Sequence, residues 1–510
     1  MEAQKTEGQS FVRRDRLLKI EEEAHKVWAE HKFHESNPSD NPKKYMVTFP
    51  YPYMNGRLHL GHAYSMTKAE FTIRYKRLKG YNAFWPFSFH CTGMPIAAAA
   101  VKLRREYEQH GDGIKEWADK LEAEFKAEVE KAKKDPKYEV KTKIPQYTIL
   151  KMCGIPDEEI HKFKDADHWL RYFPELGKAD LERFGVHCDF RRSFITTEIN
   201  PYYDAFVRWQ FWKLKEKGYI DFGKRPTIYA PADGQACADH DRAEGEGAAP
   251  QEYTLIKLRL LDFPEELKPL EGRKVFLVAA TLRPETMYGQ TNCYILPTGK
   301  YGAYEMQNDE IFICSERSAR NMAYQGLTKE PEKFPALLQI EGAKLIGCGL
   351  KSPLTKYEKI YLWPMTTISM EKGTGIVTSV PSDAPDDWVS LRELHKKPEW
   401  RAKWGLKDEQ VLPFEPIPIM EVPELGNLSA IKACEELKIN GPGDRDKLAK
   451  AKEMCYDAAF YKGVMTVGKY AGQKVFDVKN LIKQDMIADG DAVQYYEPDS
   501  KVVSRGGGNI

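Results

Sequence analysis

Three short runs hold residues whose types and spacing could do chemistry. The first is H-x-G-H, His59-Leu60-Gly61-His62, which follows "FPYPYMNGRL" (49–58) at what reads as a helix start. Imidazoles at a helix N-terminus can donate hydrogen bonds to the charge that grows on a triphosphate in its transition state. The helix end itself favours phosphate, and Gly61 leaves the backbone open to a flat ring or a phosphate. Two ordinary helix-start histidines would read the same way. The second run is "AATLRPETMYGQTN" (279–292), where Thr281 and Thr286 bracket a proline turn with Arg283. The third is "EKGTGIVTSVPSDAPDDW" (371–388), with the turn Gly373-Thr374-Gly375 and three aspartates, Asp383, Asp386 and Asp387. Taken singly, the last two are β-hairpin corners built from turn-favouring residues. The phosphate-binding pattern G-x-x-x-x-G-K-[ST] and the nucleophile elbow G-x-S-x-G are both missing from the sequence.

The elements that must position these residues follow from periodicity. "KYMVTF" (44–49) is a β-rich run closed by Pro50 and Pro52; residues 60–80 have helical spacing and stop at Gly80; "NAFWPFSF" (82–89) is a second apolar run. Strand, helix and strand in about forty residues make a βαβ unit and the start of a parallel sheet. Ligands of such sheets sit beyond the carboxyl ends of the strands, which is where His59 and His62 fall. Residues 13–30 predict an amphipathic helix packed at a domain edge through Leu17, Leu18, Val27 and Trp28. Residues 101–145, dominated by Lys, Glu and Ala, predict one or two solvated helices or a partly ordered insertion. Residues 165–225 are aromatic-rich and globular. From about 248, short β runs such as "YTLIKLRLL", "KVFLVAATL" and "EIFICS" alternate with turn signals, predicting a strand-rich domain to about 498. The closing "SRGGGNI" reads as a loop or a truncated end.

The chain has 510 residues, more than one core accommodates. Its 77 Lys and Arg balance 76 Asp and Glu, so a polyanionic partner would need local basic patches. No apolar run approaches a membrane span, and the first residues lack the pattern of a secretory signal. The nine cysteines are scattered without C-x-x-C spacing, which suits a reducing compartment and gives no support to a zinc site.

Taken together, the motifs point to one family. "FPYPYMNGRLHLGH" resembles the first signature of class I aminoacyl-tRNA synthetases, and the wording is similar to that of archaeal and eukaryotic cytosolic leucyl-tRNA synthetases. "FSFHCTGMPI" (87–96), "HWLRYFP" (168–174), "RRSFITTEINPYYDAFVRWQF" (191–211) and "DGQACADHDRAEGEG" (233–247) resemble the same family, in order, and the likeness runs from about 11 to about 503. His90 stands where isoleucyl-, valyl- and bacterial leucyl-type enzymes carry aspartate. The resemblance implies an α/β fold: a partial Rossmann-like (HUP-type) catalytic domain over 1–247 with a charged insertion at about 101–145, an inserted β-rich editing (CP1) domain over 248–498, and a return to the catalytic domain over 499–510. It implies that His59, Leu60, Gly61 and His62 meet ATP and that Tyr51, Tyr53 and His90 meet leucine. In the editing domain, Thr281 would hydrogen-bond the aminoacyl-adenosine, Thr286 would be the wall that keeps leucine out, and Asp387, six residues after Pro381, would anchor the α-ammonium. Arg283 and Gly373-Thr374-Gly375 complete that site. ATP with Mg²⁺ as cofactors, tRNA-Leu and leucine as partners, a larger synthetase assembly and a cytoplasmic location are also implied.

Two departures bear on this. Position 282 is Leu where bacterial members carry a second threonine. The family's K-M-S-K-S signature is not found; "SMTK" (65–68) lies inside the first helix. The expectation is therefore an N-terminal portion of a synthetase, or a truncated gene product, that activates leucine poorly or not at all. The alternatives are an isoleucyl- or valyl-type relative, a small nucleotidyltransferase, and a non-catalytic leucine- or tRNA-binding chain.

Overall fold

A computed structural model describes residues 11–135, 138–232, 234–505 and 510. The readings made for residues 1–10 and for the glycine run 506–509 fall outside them. The chain divides into two compact units, Met1–Ala248 with Lys501–Ile510, and Ala249–Ser500.

In the first unit, strand Lys44–Met46 and strand Asn82–Phe84 pair in parallel, joined by helix Leu60–Leu78. Gly80, at φ +77°, turns the chain out of that helix into the second strand. The apolar run 82–89 is strand only to Phe84. Pro86 has no N–H for a ladder. Beyond it the chain stays extended, with Phe89 bridged in parallel to Ile195. Trp85, Phe87 and Phe89 sink into a core shared with Trp169 and Phe173 of helix Ala166–Phe184. The charged segment forms helices Met94–His110 and Ile114–Lys134, the second burying Ile114 and Ala118. Its acids work locally: Glu106 accepts from the N–H groups of Gln146 and Tyr147 at 2.7 and 3.0 Å, and Glu128 from those of Lys141 and Thr142.

Two helices depart from expectation. Val12–His31 leaves Leu17, Leu18 and Val27 exposed, and its contact runs instead through Trp28, set edge-on to His187 and under Arg74. Helix Pro201–Glu216 buries none of its residues; Phe206, Trp209, Phe211 and Trp212 are all more than half exposed.

The second unit is built on a ten-stranded sheet. Its order is 338–341, 300–305, 310–314, 274–281, 250–260, 349–351, 360–364, 292–295, 376–379, with strand Ala492–Pro498 also on Pro250–Leu260. Two pairings are parallel, 274–277 with 310–313 and 293–295 with 362–364; the others are antiparallel. A Cβ on Gly373 would touch Ala280 at 3.7 Å, so the turn before the last strand folds over the end of strand 274–281. Helices Pro385–Lys396, Arg445–Lys462 and Val475–Ala488 bury Val389, Leu391, Leu448, Val478 and Ile482 in the same core as Leu258, Ile295 and Trp363. Each unit is mixed α/β, as the motifs implied.

Candidate functional sites

In the first unit, His59 is the N-cap of helix Leu60–Leu78 in extended backbone. Its Nδ1 accepts from the Gly61 N–H at 3.1 Å, and Nδ1 of His62 accepts from the His59 N–H at 3.3 Å. This is a capping box made of two imidazoles. With Nδ1 as acceptor, each neutral ring must carry its proton on Nε2. Burial and the neighbouring His59 lower the pKa of His62, favouring that neutral form. The imidazoles thus occupy two backbone donors that sequence reasoning had left for phosphate and offer ring Nε2–H donors in their place. The rings lie 4.0 Å apart. Gly61 has a further local role: a Cβ there would stand 2.9 Å from Cε1 of His59, so the glycine leaves room for the cap. Leu60 is fully exposed beside them.

Tyr53 and His90 meet directly. Their backbones form a parallel bridge, their rings stand edge-on at 4.5 Å, and His240 lies 5.8 Å from Tyr53 on another side. Both ring nitrogens of His90 are held by hydroxyls, Nδ1 by Thr196 at 3.1 Å and Nε2 by Thr92 at 3.3 Å. Thr196 also accepts from the Cys91 N–H. Burial and His240 lower the His90 pKa. Tyr51 faces elsewhere, onto Phe87 and Phe194.

In the second unit the threonine turn and the aspartate segment come together through Arg283. Its N–H donates to Thr281 Oγ1 at 3.0 Å, and its C=O accepts from Thr286 Oγ1 at 2.7 Å. Thr281 therefore keeps its own O–H free to donate, while the Thr286 side chain is fixed and almost wholly buried. The guanidinium pairs with Glu285 at 3.1 Å and with Asp383, and lies 4.7 Å over the ring of Tyr456. Those two carboxylates raise its pKa against the opposing effect of burial, so it stays charged.

Asp387 sits in the first turn of helix Pro385–Lys396, after Pro at N1, where the helix dipole favours an anion. Its Oδ2 accepts from the Val380 N–H at 2.7 Å. Burial nonetheless dominates and pushes its pKa up to about 7, with Asp386 and Asp383 adding to the rise. The Gly373-Thr374-Gly375 turn takes φ of +63° and +80° at its glycines. The Gly373 N–H donates to both oxygens of buried Glu497, which also pairs with Arg317. Thr374 is buried with its hydroxyl on the Ile376 C=O, and the Gly375 C=O accepts from Tyr301. The turn is thereby anchored from behind. Leu282 is exposed.

Sequence reasoning missed Glu285 and Tyr456 and passed over Asp383. The spacing R-P-E was a signal for Glu285; Tyr456 lies on helix Arg445–Lys462, where nothing local marks it. Among the described residues no three His, Cys, Asp or Glu side chains converge on a metal position. No helix there is long and apolar enough to cross a membrane.

Residues 23–147 match the family model of class I tRNA synthetases (I, L, M and V). The chain is 52% identical to the cytoplasmic leucine–tRNA ligase of Pongo abelii, over 96% of this chain and 43% of that protein. It is 49% identical to that of Dictyostelium discoideum, over 98% of this chain and 49% of that protein. It therefore spans about half the length of these curated relatives. A crystal structure of the P. falciparum cytosolic leucyl-tRNA synthetase editing domain aligns at 31% identity and a TM-score of 0.43, over 48% of this chain and all of that one.

Proposed function

We propose, from the 49–52% identity to cytoplasmic leucine–tRNA ligases over nearly all of this chain, that its second unit hydrolyses tRNA-Leu charged with the wrong amino acid. The observation that carries this reading is the Arg283–Asp383 ion pair, which draws Thr281, Thr286 and the Asp387 loop into one place. The need for such a site is energetic. A selecting pocket gains only ~1–3 kcal/mol per methylene of difference, so near-isosteres of leucine pass it.

In the reaction proposed, Asp387 holds the α-ammonium of the aminoacyl ester in a charge-assisted pair. Thr281 donates to the adenosine end, and Thr286 excludes leucine by occupying the space its side chain would need. Water adds to the ester carbonyl, the bond to the ribose oxygen breaks, and the proton passes to that oxygen, releasing the free amino acid and tRNA. No protein nucleophile is required.

For the first unit we propose leucine and ATP binding in support of the ligase reaction. The Nε2–H donors of His59 and His62 would meet the phosphates, and Tyr53 with His90, fixed by Thr92 and Thr196, would form the polar edge of the leucine pocket. Mg²⁺ would arrive on the triphosphate, the usual way that ion is held. A cytoplasmic location accords with the names of both relatives.

The test is hydrolysis of isoleucyl-tRNA(Leu) by this chain, with leucyl-tRNA(Leu) as control and Asp387→Ala in parallel. The expected result is selective loss of the isoleucyl ester, reduced about a hundredfold in the variant, the scale of one charge-assisted contact. Equal rates for the two esters, or full activity in Asp387→Ala, would refute the assignment.

A further inference from the structure

We propose that Asp383 is a positioning residue for this deacylation, acting through Arg283 to set the spacing between the threonine turn and Asp387; the proposal rests on the editing reading above. The Arg283 guanidinium is held on three sides: Nε on Glu285, Nη1 on Asp383, and its face on Tyr456. Glu285 is 1% exposed and Asp383 2%. A buried ion pair of this kind is a weak source of stability, because desolvation offsets most of the attraction. A planar fork locked at both ends does, however, define a direction and a length.

The two ends are the two halves of the site. Thr281 and Thr286 hang on the main chain of Arg283 itself. On the far side, the N–H groups of Asp383 and Ala384 both donate to the Val380 C=O, at 3.1 and 2.9 Å, and the Val380 N–H donates to the Asp387 carboxylate. Asp383 is thus linked through one residue to the group that anchors the substrate. Glu285, by contrast, lies in the same short 3₁₀ turn as Thr286 and spans nothing. Of the two carboxylates on Arg283, only Asp383 ties one loop to the other.

Leucine and isoleucine differ only in where one methyl branches. A wall that excludes one and admits the other works only if its distance from the ammonium anchor is fixed. The experiment compares Asp383→Asn with Glu285→Gln in the full chain. It measures kcat/KM for isoleucyl- and leucyl-tRNA(Leu), together with the thermal midpoint. Asp383→Asn is expected to lower the ratio of the two kcat/KM values about tenfold, chiefly by raising hydrolysis of the leucyl ester as the wall withdraws. Glu285→Gln should leave that ratio within about twofold, since the two loops stay connected. A merely structural role would lower both rates together and leave the ratio unchanged, so an unchanged ratio in Asp383→Asn overturns the proposal. An equal fall in Glu285→Gln, or an Asp383→Asn chain without a cooperative thermal transition, overturns it too. A wild-type chain that hydrolyses neither ester removes the editing reading and this proposal with it. Selective wild-type hydrolysis with an unchanged variant ratio removes only the proposal.

Discussion

Asp387 titrates where its proposed work is done. Its pKa is pushed up to about 7 by burial, so near neutral pH it is an acid in one fraction of molecules and an anion in the rest. Only the anion can pair with an ammonium group. Deacylation should therefore rise as pH climbs through about 7, beyond the rise expected from hydroxide alone, and Asp387→Asn should lack that extra limb; matched pH–rate profiles would check it. The same shift affects folding. The folded chain holds a proton that the unfolded chain releases near pH 4, so this group's contribution is fully favourable below pH 4 and declines as pH rises towards 7. Asp387→Asn should flatten that decline, by up to a few kcal/mol, in thermal midpoints read across the range. His187 works in the opposite sense. Burial, with Arg74 and Arg77 beside it, lowers its pKa to about 3. It is neutral when folded, so its contribution is intact above about pH 6.5 and is lost as pH falls towards 3. Below pH 6 His187 should therefore pull the midpoint down, against the rise from Asp387, and His187→Asn should lack that pull.

At the scale of elements, the helix that carries H-x-G-H begins with a cap made from its own candidate site residues. Gly61→Ala would push the His59 ring off that cap, costing about 1 kcal/mol of helix stability and displacing one of the proposed phosphate donors. The expected signature is a lowered thermal midpoint together with weaker ATP binding by calorimetry; weaker binding with an unchanged midpoint would show that the imidazole cap adds nothing to the fold. Elements whose logic is local were legible in the sequence. The runs "YTLIKLRLL", "KVFLVAATL" and "EIFICS" correspond to strands Pro250–Leu260, Lys274–Thr281 and Glu310–Cys314. Helix 60–78 ends beside the glycine that marks its end. What is not local was not legible. Leu17, Leu18 and Val27 have the spacing of a buried stripe, yet the helix turns Trp28 inward instead. Tyr456 reaches Arg283 across more than 170 residues, a pairing no periodicity announces.

At the scale of the molecule, the helix Pro201–Glu216 is the outlier. Among the described residues, Tyr202, Phe206, Trp209, Phe211, Trp212, Tyr219 and Phe222 expose more apolar surface than single scattered residues do. Tyr202, Phe206 and Trp209 share one side of the helix, Phe211 lies on the other, and Tyr219 and Phe222 follow it; exposed apolar surface of this extent favours association. Sedimentation should show concentration-dependent self-association of this chain, relieved by Trp209→Gln with Trp212→Gln, while deacylation by the second unit stays unchanged. The aromatic richness of residues 165–225 was plain in the sequence. It did not tell the buried Trp169 and Phe173 from the exposed Trp209 and Trp212, because helical spacing gives a helix a face without saying what lies opposite.

The second unit begins and ends on neighbouring strands. Pro250 is in register with Pro498, and the Asp499 N–H reaches the Ala249 C=O at 3.0 Å. The polypeptide thus leaves the stretch Ala249–Ser500 beside the point at which it entered. For the residues on either side, the conformational freedom surrendered in joining Ala248 to Lys501 is that of a tight hairpin, whatever the length enclosed, because the enclosed part brings its own ends together. A whole folded unit can be carried on such a junction at the entropic cost of a few residues of loop. The insertion could lengthen, shorten or be exchanged over evolutionary time without altering the distance the flanking chain has to close.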